Sequence, residues 1–504
     1  MKLNKSLLSC AIAIAIAMGA SFTANANTET KAGSTSELAA KVSVSSIENA
    51  VTVKQSFSDN TALVSQDGDG NTALATEIGN NNDVKIAQLQ NGNYAEVETT
   101  GDNNQQTYAQ DGVANGFITR ITGDNNGVYV SQFGQGLFQN NEAINIITGS
   151  DNNIDVEQGN GGHWFYNMDM RGNGNEIISS QSGMWQEFEV LSLSGDENII
   201  EIEQTDTWNE FKIGSLRGNE NEIDVSQDGS RNIITFTDIA GDDNEIAIEQ
   251  SSGDNNTITF AAVTGNDNEI KLDQEGSNNA IESGLFDGSF NEVTVNQIGD
   301  ENLATTELMG DNNELTAMQV GNTNEAYMGV IGSNNEFTVT QVSDFNSVHL
   351  ANFNGSGNDV DLSQSGGDEN AILVQSSYPD VSLTSNDNDI DVNQVGNQNE
   401  AIVTLAGILD SNANQIDIAQ NGDINVIDLM VEGSNHSIDI AQQGEGNWVG
   451  GTGDSAFLLG GENVSFSVTQ TGNYNTVEGN VIGFNSTFSV TQLGDGNTAT
   501  ITQM

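Results

Sequence analysis

A glutamine returns along this chain at a nearly fixed interval, and that return limits the fold more than any other feature. It stands at Gln66, Gln88, Gln110, Gln132, Gln158, Gln181, Gln204, Gln227, Gln250, Gln274, Gln297, Gln319, Gln341, Gln364, Gln394, Gln420, Gln442, Gln470 and Gln492, with most steps 22 to 24 residues long. Periods of this length mark solenoids and arrays. Six residues before the glutamine there is usually an asparagine, as at Asn60, Asn82, Asn104 and Asn244, and five after it another, as at Asn71, Asn232, Asn279, Asn302 and Asn497. A glycine often follows two residues after the glutamine, as in Gln297-Ile298-Gly299. The unit is Asn-x5-Gln-x-Gly-x-x-Asn, then a second apolar run such as Ile233-Ile234-Thr235-Phe236, then a turn such as Gly241-Asp242-Asp243-Asn244.

Within the stretch Asn244 to Gln250, alternation puts Asn244, Ile246, Ile248 and Gln250 on one face and Glu245, Ala247 and Glu249 on the other. One face is apolar with an amide at each end, and the other is acidic. Gly and Asn tolerate the positive φ of tight turns, so their density at each reversal points to strand, turn, strand, turn. One such coil cannot bury its inner face alone, but stacked coils can. Stacking sets glutamine on glutamine about 4.8 Å apart, where amides bond up the stack as ladders. The expected fold is all-β: a parallel β-solenoid of strand–turn–strand coils of about 22–24 residues, with two facing parallel sheets and about 19 coils. Disorder would explain the Asn and Gln content but not amides at fixed columns with Ile and Val between them.

Residues 1–26 read as a secretory signal peptide: Lys2 and Lys5, an apolar run from Leu7 to Ala20, then Ala24-Asn25-Ala26 as the cleavage site. Cys10, the one cysteine, lies in that segment, so a mature chain has no thiol for disulfides or metal. Residues 27–48 are off the repeat and read as a leader, either a flexible one or an export-targeting tail. The repeat domain spans 49–504 and ends on a strand, Thr498 to Gln503, with no atypical segment to close the stack. Long steps around Gly136-Leu137-Phe138-Gln139 and around Tyr378-Pro379, which holds the single proline, read as surface loops.

The formal net charge is −60, from 72 acidic and 12 basic residues, and no Lys or Arg follows Lys271. Phosphate needs a basic patch, so nucleic acid is not an expected partner, and neither is an anionic membrane. The apolar run of the signal segment is too short to span a bilayer, so no membrane insertion is expected. The acids fall on outward positions such as Glu201 and Glu203. There they keep the chain soluble by self-repulsion, or, on a second reading, bind Ca²⁺ weakly. The nonapeptide array of calcium coils is absent, and no cofactor is expected.

Nothing in the chain assembles a catalytic site. His163 and His436 stand in asparagine columns and read as ladder substitutions, and His349 points outward. Carboxylate pairs are everywhere and so mark no acid–base couple, and there is no nucleophile elbow or phosphate loop. The group Trp164-Phe165-Tyr166, with Trp185 and Trp208 one and two coils on, reads either as core filling or as a sugar-binding stripe.

The pattern resembles the curlin repeat of curli subunits, most closely at Ser486-Thr487-Phe488-Ser489-Val490-Thr491-Gln492-Leu493-Gly494-Asp495-Gly496-Asn497. The resemblance covers nearly everything from residue 49 on. It implies a non-enzymatic, secreted subunit that polymerises with copies of itself into extracellular, cell-surface fibres of a biofilm matrix and mediates adhesion. It also implies a nucleator subunit and an outer-membrane secretion pore as partners. Two departures stand out. The second strand usually carries a glutamine too, whereas here that column reads as Asp238, Leu285, Leu308, Val330 or Leu405. The chain also has far more coils than the usual major subunit. The alternative is a monomeric acidic β-solenoid, acting as an adhesin or a cation-binding surface protein.

Overall fold

A computed structural model describes residues 26–30, 39–46, 48–134, 140–190, 192–217, 219–240, 242–260, 262–376, 383–453 and 455–503. Residues 1–25 of the signal segment, the insert at Gly136–Gln139 and the loop at Tyr378-Pro379 lie outside the described residues. The described residues are strands and tight arcs without a helix, stacked into a β-solenoid of about 19 turns. The chain divides into two compact units, 1–248 and 249–504.

In the first unit each coil gives one strand to each of two parallel sheets. Thr61–Asp67, Asp83–Leu89 and Gln105–Gly112 follow one another in one sheet, with Gln66 in register with Gln88 and Gln88 with Gln110. Ala50–Ser56, Thr72–Ile78 and Tyr94–Thr100 do the same in the facing sheet. Alternation is strict: Ala62, Val64 and Gln66 are buried and the residues between them are not. The second unit repeats the arrangement, with Glu292–Ile298, Glu314–Val320 and Glu336–Val342 in one sheet and Leu303–Met309 and Glu325–Ile331 in the other.

Two features of the arcs hold the coils at strand spacing. The residue before each ladder asparagine sits at positive φ, as Asn81, Asn103 and Asn125 do at 58°, 62° and 61°. The arc glycine is fixed by its neighbour as well as by its φ: a Cβ on Gly79 would lie 1.9 Å from the carbonyl oxygen of Gly101 in the next coil. The glycine columns are therefore places where backbone touches backbone at positive φ, which favours glycine; Gln90, Asp206 and Ser343 take its place in single coils, each at positive φ.

The stack reaches further back than the repeat pattern does. Ala26–Thr30 pairs with Ala50–Ser56, and Ala39–Val44 pairs with Thr61–Asp67, both parallel, within the stretch that reads as a leader. This coil lacks the ladder amides: Thr30 stands in register with Gln55, and Val44 with Gln66. Backbone pairing needs no particular side chain, so a glutamine search cannot see it.

The second-strand column also differs in detail from the sequence reading. Leu308 and Val330 are register partners in that column, and both are buried. Asp238, however, stands at positive φ, and Ile239 beside it is the buried residue. Phe286, not Leu285, pairs with Leu308, because a register shift falls between Ser283 and Phe286. The shift between Ser283 and Phe286 adds one residue, which reverses the alternation beyond it.

Candidate functional site

The most ordered polar feature of each unit is the glutamine ladder. In the first unit Nε2 of Gln66 donates to Oε1 of Gln88 at 2.7 Å, Gln88 to Gln110 at 2.8 Å, and Gln110 to Gln132 at 2.9 Å. The series continues through Gln158, Gln181 and Gln204 to Gln227. In the second unit it runs from Gln250 through Gln274, Gln297, Gln319, Gln341, Gln364, Gln394, Gln420, Gln442 and Gln470 to Gln492, with every bond between 2.7 and 3.0 Å. The second Nε2 proton crosses the core to a backbone carbonyl of the facing sheet, as from Gln88 to Thr72 at 3.1 Å. Each amide thus ties coil to coil and sheet to sheet.

The asparagines line the two arcs and bond in the opposite sense. Oδ1 of Asn60 accepts the backbone N–H of Asn82 at 2.9 Å and its Nδ2–H at 3.2 Å, while Asn82 Nδ2 also donates to the Gly101 carbonyl at 2.8 Å. Asn71 donates its N–H to Asn49, Asn232 to Asn209, Asn279 to Asn256, Asn302 to Asn279 and Asn497 to Asn475, each by the same backbone-to-Oδ1 bond. Asn244 Nδ2 donates within its own arc, to the Asp242 carbonyl. The position suits a short side chain that accepts and donates at once, as asparagine does; Gln186, His163 and His436 stand in for it in single coils.

Both histidines in asparagine columns are buried and neutral by environment. His163 donates Nε2–H to the Gly159 carbonyl at 2.7 Å, and burial lowers its pKa. His436 donates Nε2–H to the Glu432 carbonyl at 3.0 Å, and its Nδ1 accepts the backbone N–H of Val464 at 3.2 Å. His349 faces outward, 3.4 Å from Glu325.

The sequence reading missed Glu77. It is fully buried in the second-strand column, where Oε2 accepts from Gln55 Nε2 at 3.1 Å, and burial raises its pKa to about 8. A carboxyl in register with Gln55 is the signal that could have found it. The aromatic group separates into two series. Phe165, Phe188 and Phe211 are buried and stack in the core, with ring centroids 4.9 and 5.3 Å apart. Trp164, Trp185 and Trp208 stack outside the core, 5.9 and 5.5 Å apart, with Trp208 the most exposed of them.

Acids stand on acids along the outer face of the second unit. Glu269, Glu292, Glu314, Glu336, Asp359 and Asp389 are successive register partners, and so are Asp361, Asp391, Asp417 and Asp439. Among the described residues no group of three or more His, Cys, Asp or Glu is placed to hold a metal ion. No helix of the described residues is long and apolar enough to cross a membrane.

The coil of Thr487–Leu493 and Thr498–Gln503 pairs with the coil before it, and among the described residues it has no partner on its other edge. Its inward residues Phe488, Val490 and Ile501 are half-buried, whereas Phe466 and Val468 one coil earlier are fully buried. Gln492 ends the ladder there, and Gln503 is exposed.

No curated protein matches the chain. The family model of the curlin associated repeat matches three stretches, residues 48–76, 218–251 and 310–342. The last of these covers Glu314–Val320, Glu325–Ile331 and Glu336–Val342 with the arcs between them. The same strand, arc and ladder recur in coils outside the matched stretches, and the chain is a curlin-repeat protein.

Proposed function

We propose that this protein is a secreted structural subunit that adds end to end, strand on strand, into extracellular fibres of amyloid type. The observation that carries the reading is the coil of Thr487–Leu493 and Thr498–Gln503. Among the described residues its outer edge is unpaired in both sheets, and it carries a half-buried apolar row with amides at Gln492 and Gln503. An open edge of this kind is a template for another chain, and backbone pairing continues across the joint without needing a ladder amide on both sides. Among the described residues the coil first met would be that of Ala26–Thr30 and Ala39–Val44, which lies ahead of the Gln66 coil. The curlin repeat supports self-assembly over catalysis. Cleavage after Ala26, export through an outer-membrane pore, nucleation by a partner subunit, and adhesion within a biofilm matrix belong to the same reading. No cofactor is assigned.

The test uses the mature chain freed of denaturant. Long unbranched fibres with a reflection near about 4.8 Å are expected. Growth should slow more in Gln492→Ala/Gln503→Ala than in Glu201→Ala/Glu203→Ala. A persistent β-rich monomer, or equal growth rates in the two variants, would reject end addition. The monomeric adhesin is the alternative, and the exterior stack of Trp164, Trp185 and Trp208 is the observation in its favour.

A further inference from the structure

We propose that His436 is an acid-sensitive latch that holds the last coils of the chain, Ser465 onward, on the coils before them. The asparagine column of this arc runs Asn335, Asn358, Asn388 and Asn414, each Oδ1 accepting the next coil's backbone N–H. At His436 the amide is replaced by imidazole, and at the next position by Val464, which has no polar side chain. The side-chain bond of this column therefore rests on ring nitrogen Nδ1, which accepts from Val464 N–H at 3.2 Å, beside the backbone bonds from Ser437 N–H to the Val464 carbonyl and from Asn463 N–H to the Ser434 carbonyl.

That bond fixes the tautomer. Nε2 carries the proton, which it donates to the Glu432 carbonyl at 3.0 Å, and Nδ1 must keep its lone pair. Protonating the ring turns Nδ1 into a donor aimed at a donor. His436 is 2 % exposed, so the charge and the second N–H have no water to face. Either the ring or the strand Ser465–Thr471 has to move. An asparagine here would have no such state.

The groups around the ring do not rescue the cation. Burial lowers its pKa, and the Glu432 carbonyl is the influence that raises it. Glu432 shares the arc, and burial holds its own carboxyl above the usual range, toward the neutral form. Asp410 lies in the coil before, where its carboxylate accepts from Thr384 N–H at 2.9 Å. Glu462 in the coil after and Asp439 on the histidine's own strand are exposed. A histidine whose folded pKa is lowered contributes stability that is full above its unfolded pKa. That stability is lost as pH falls below it. His163 is an internal comparison. Its ring meets the carbonyls of Gly159 and Gly183, both of which favour the protonated form.

The experiment is amide hydrogen exchange on the full mature chain at pH 7 and pH 5, wild type against His436→Asn, the two compared at each pH so that intrinsic exchange cancels. Wild type should lose protection at Ser465–Thr471 relative to the variant by roughly tenfold per pH unit as pH falls below the unfolded histidine pKa, down to the lowered folded value. Protection at Glu336–Val342 should stay equal in both. Loss in parallel in the two proteins would overturn the latch. A second measurement stands even if the variant folds poorly: ¹⁵N shifts of the wild-type ring. The Nε2–H tautomer at neutral pH is expected, and an Nδ1–H tautomer would overturn the proposal.

Discussion

Nε2 of Gln297 stands 2.8 Å from Oε1 of Gln319 and 3.1 Å from the carbonyl of Ala280 in the facing sheet, while its own Oε1 accepts from Gln274 at 2.8 Å. Removing this one side chain strands a buried donor on Gln274 and a buried acceptor on Gln319. Each orphan costs roughly 1–3 kcal/mol. Gln297→Ala should therefore destabilise the second unit by several kcal/mol, read as a lower denaturant midpoint. Gln297→Glu should do worse at neutral pH, because it adds a buried charge where Gln319 needs a donor. A midpoint unchanged in Gln297→Ala would show that the ladder contributes little.

The glycine columns divide into two kinds, and substitution should tell them apart. A Cβ on Gly299 would lie 2.0 Å from the carbonyl oxygen of Gly321, at φ 121°. Gly70, at φ 71°, would have nothing within 4 Å of its Cβ. Gly70→Asn should cost only a conformational term of about 1 kcal/mol or less. Gly299→Ala has to displace the facing carbonyl of Gly321 and should cost more than Gly70→Asn. Thermal unfolding of the two variants side by side checks the difference.

The ladder glutamines, the arc asparagines and the two-sheet coil were legible because each leaves a polar residue at a fixed interval in an alternating strand. The features that were not legible share a cause. The coil of Ala26–Thr30 and Ala39–Val44 is held by backbone pairing and carries no column residue. The shift between Ser283 and Phe286 inserts one residue without a change of composition, so Leu285 reads as inward where Phe286 is the paired residue. Glu77 looks like any other of the 72 acids until its strand register puts it on the inner face. The two fates of the aromatic group follow from parity along the strand for Phe165, against an arc position at positive φ for Trp185 and Trp208.

Glu77 makes the first unit sensitive to alkali. Its pKa is raised from the usual carboxyl range to about 8, chiefly by burial, with Gln55 opposing and the Asp83 charge adding. A raised folded pKa means stability present in full below the unfolded value and lost as pH rises through about 8. A shift of this size is worth on the order of 4 kcal/mol across that window. Glu77→Gln keeps an acceptor for Gln55 and removes the titration. The variant should gain most over wild type near and above pH 8, and a stability difference flat from pH 6 to pH 9 would exclude the assignment.

The outward acid columns make the second unit sensitive in the same sense at lower pH. Asp361, Asp391 and Asp417 are in register, and burial, with the neighbouring carboxylates, raises the pKa of each. Their repulsion is present at neutral pH and relieved as pH falls through their raised values, so these groups favour the folded unit on mild acidification. Asp423 opposes them: it accepts both N–H and Nδ2–H of Asn397 at 2.9 Å, which holds its pKa down, so its contribution is lost only at still lower pH. Like charges directly opposite cost about 0.2–1 kcal/mol per pair and are screened by salt. Asp391→Asn removes the middle charge of three and should raise the denaturant midpoint at pH 7 in low salt. The gain should shrink in high salt and vanish near pH 4. A variant that gains equally under all three conditions would place the effect in packing rather than charge.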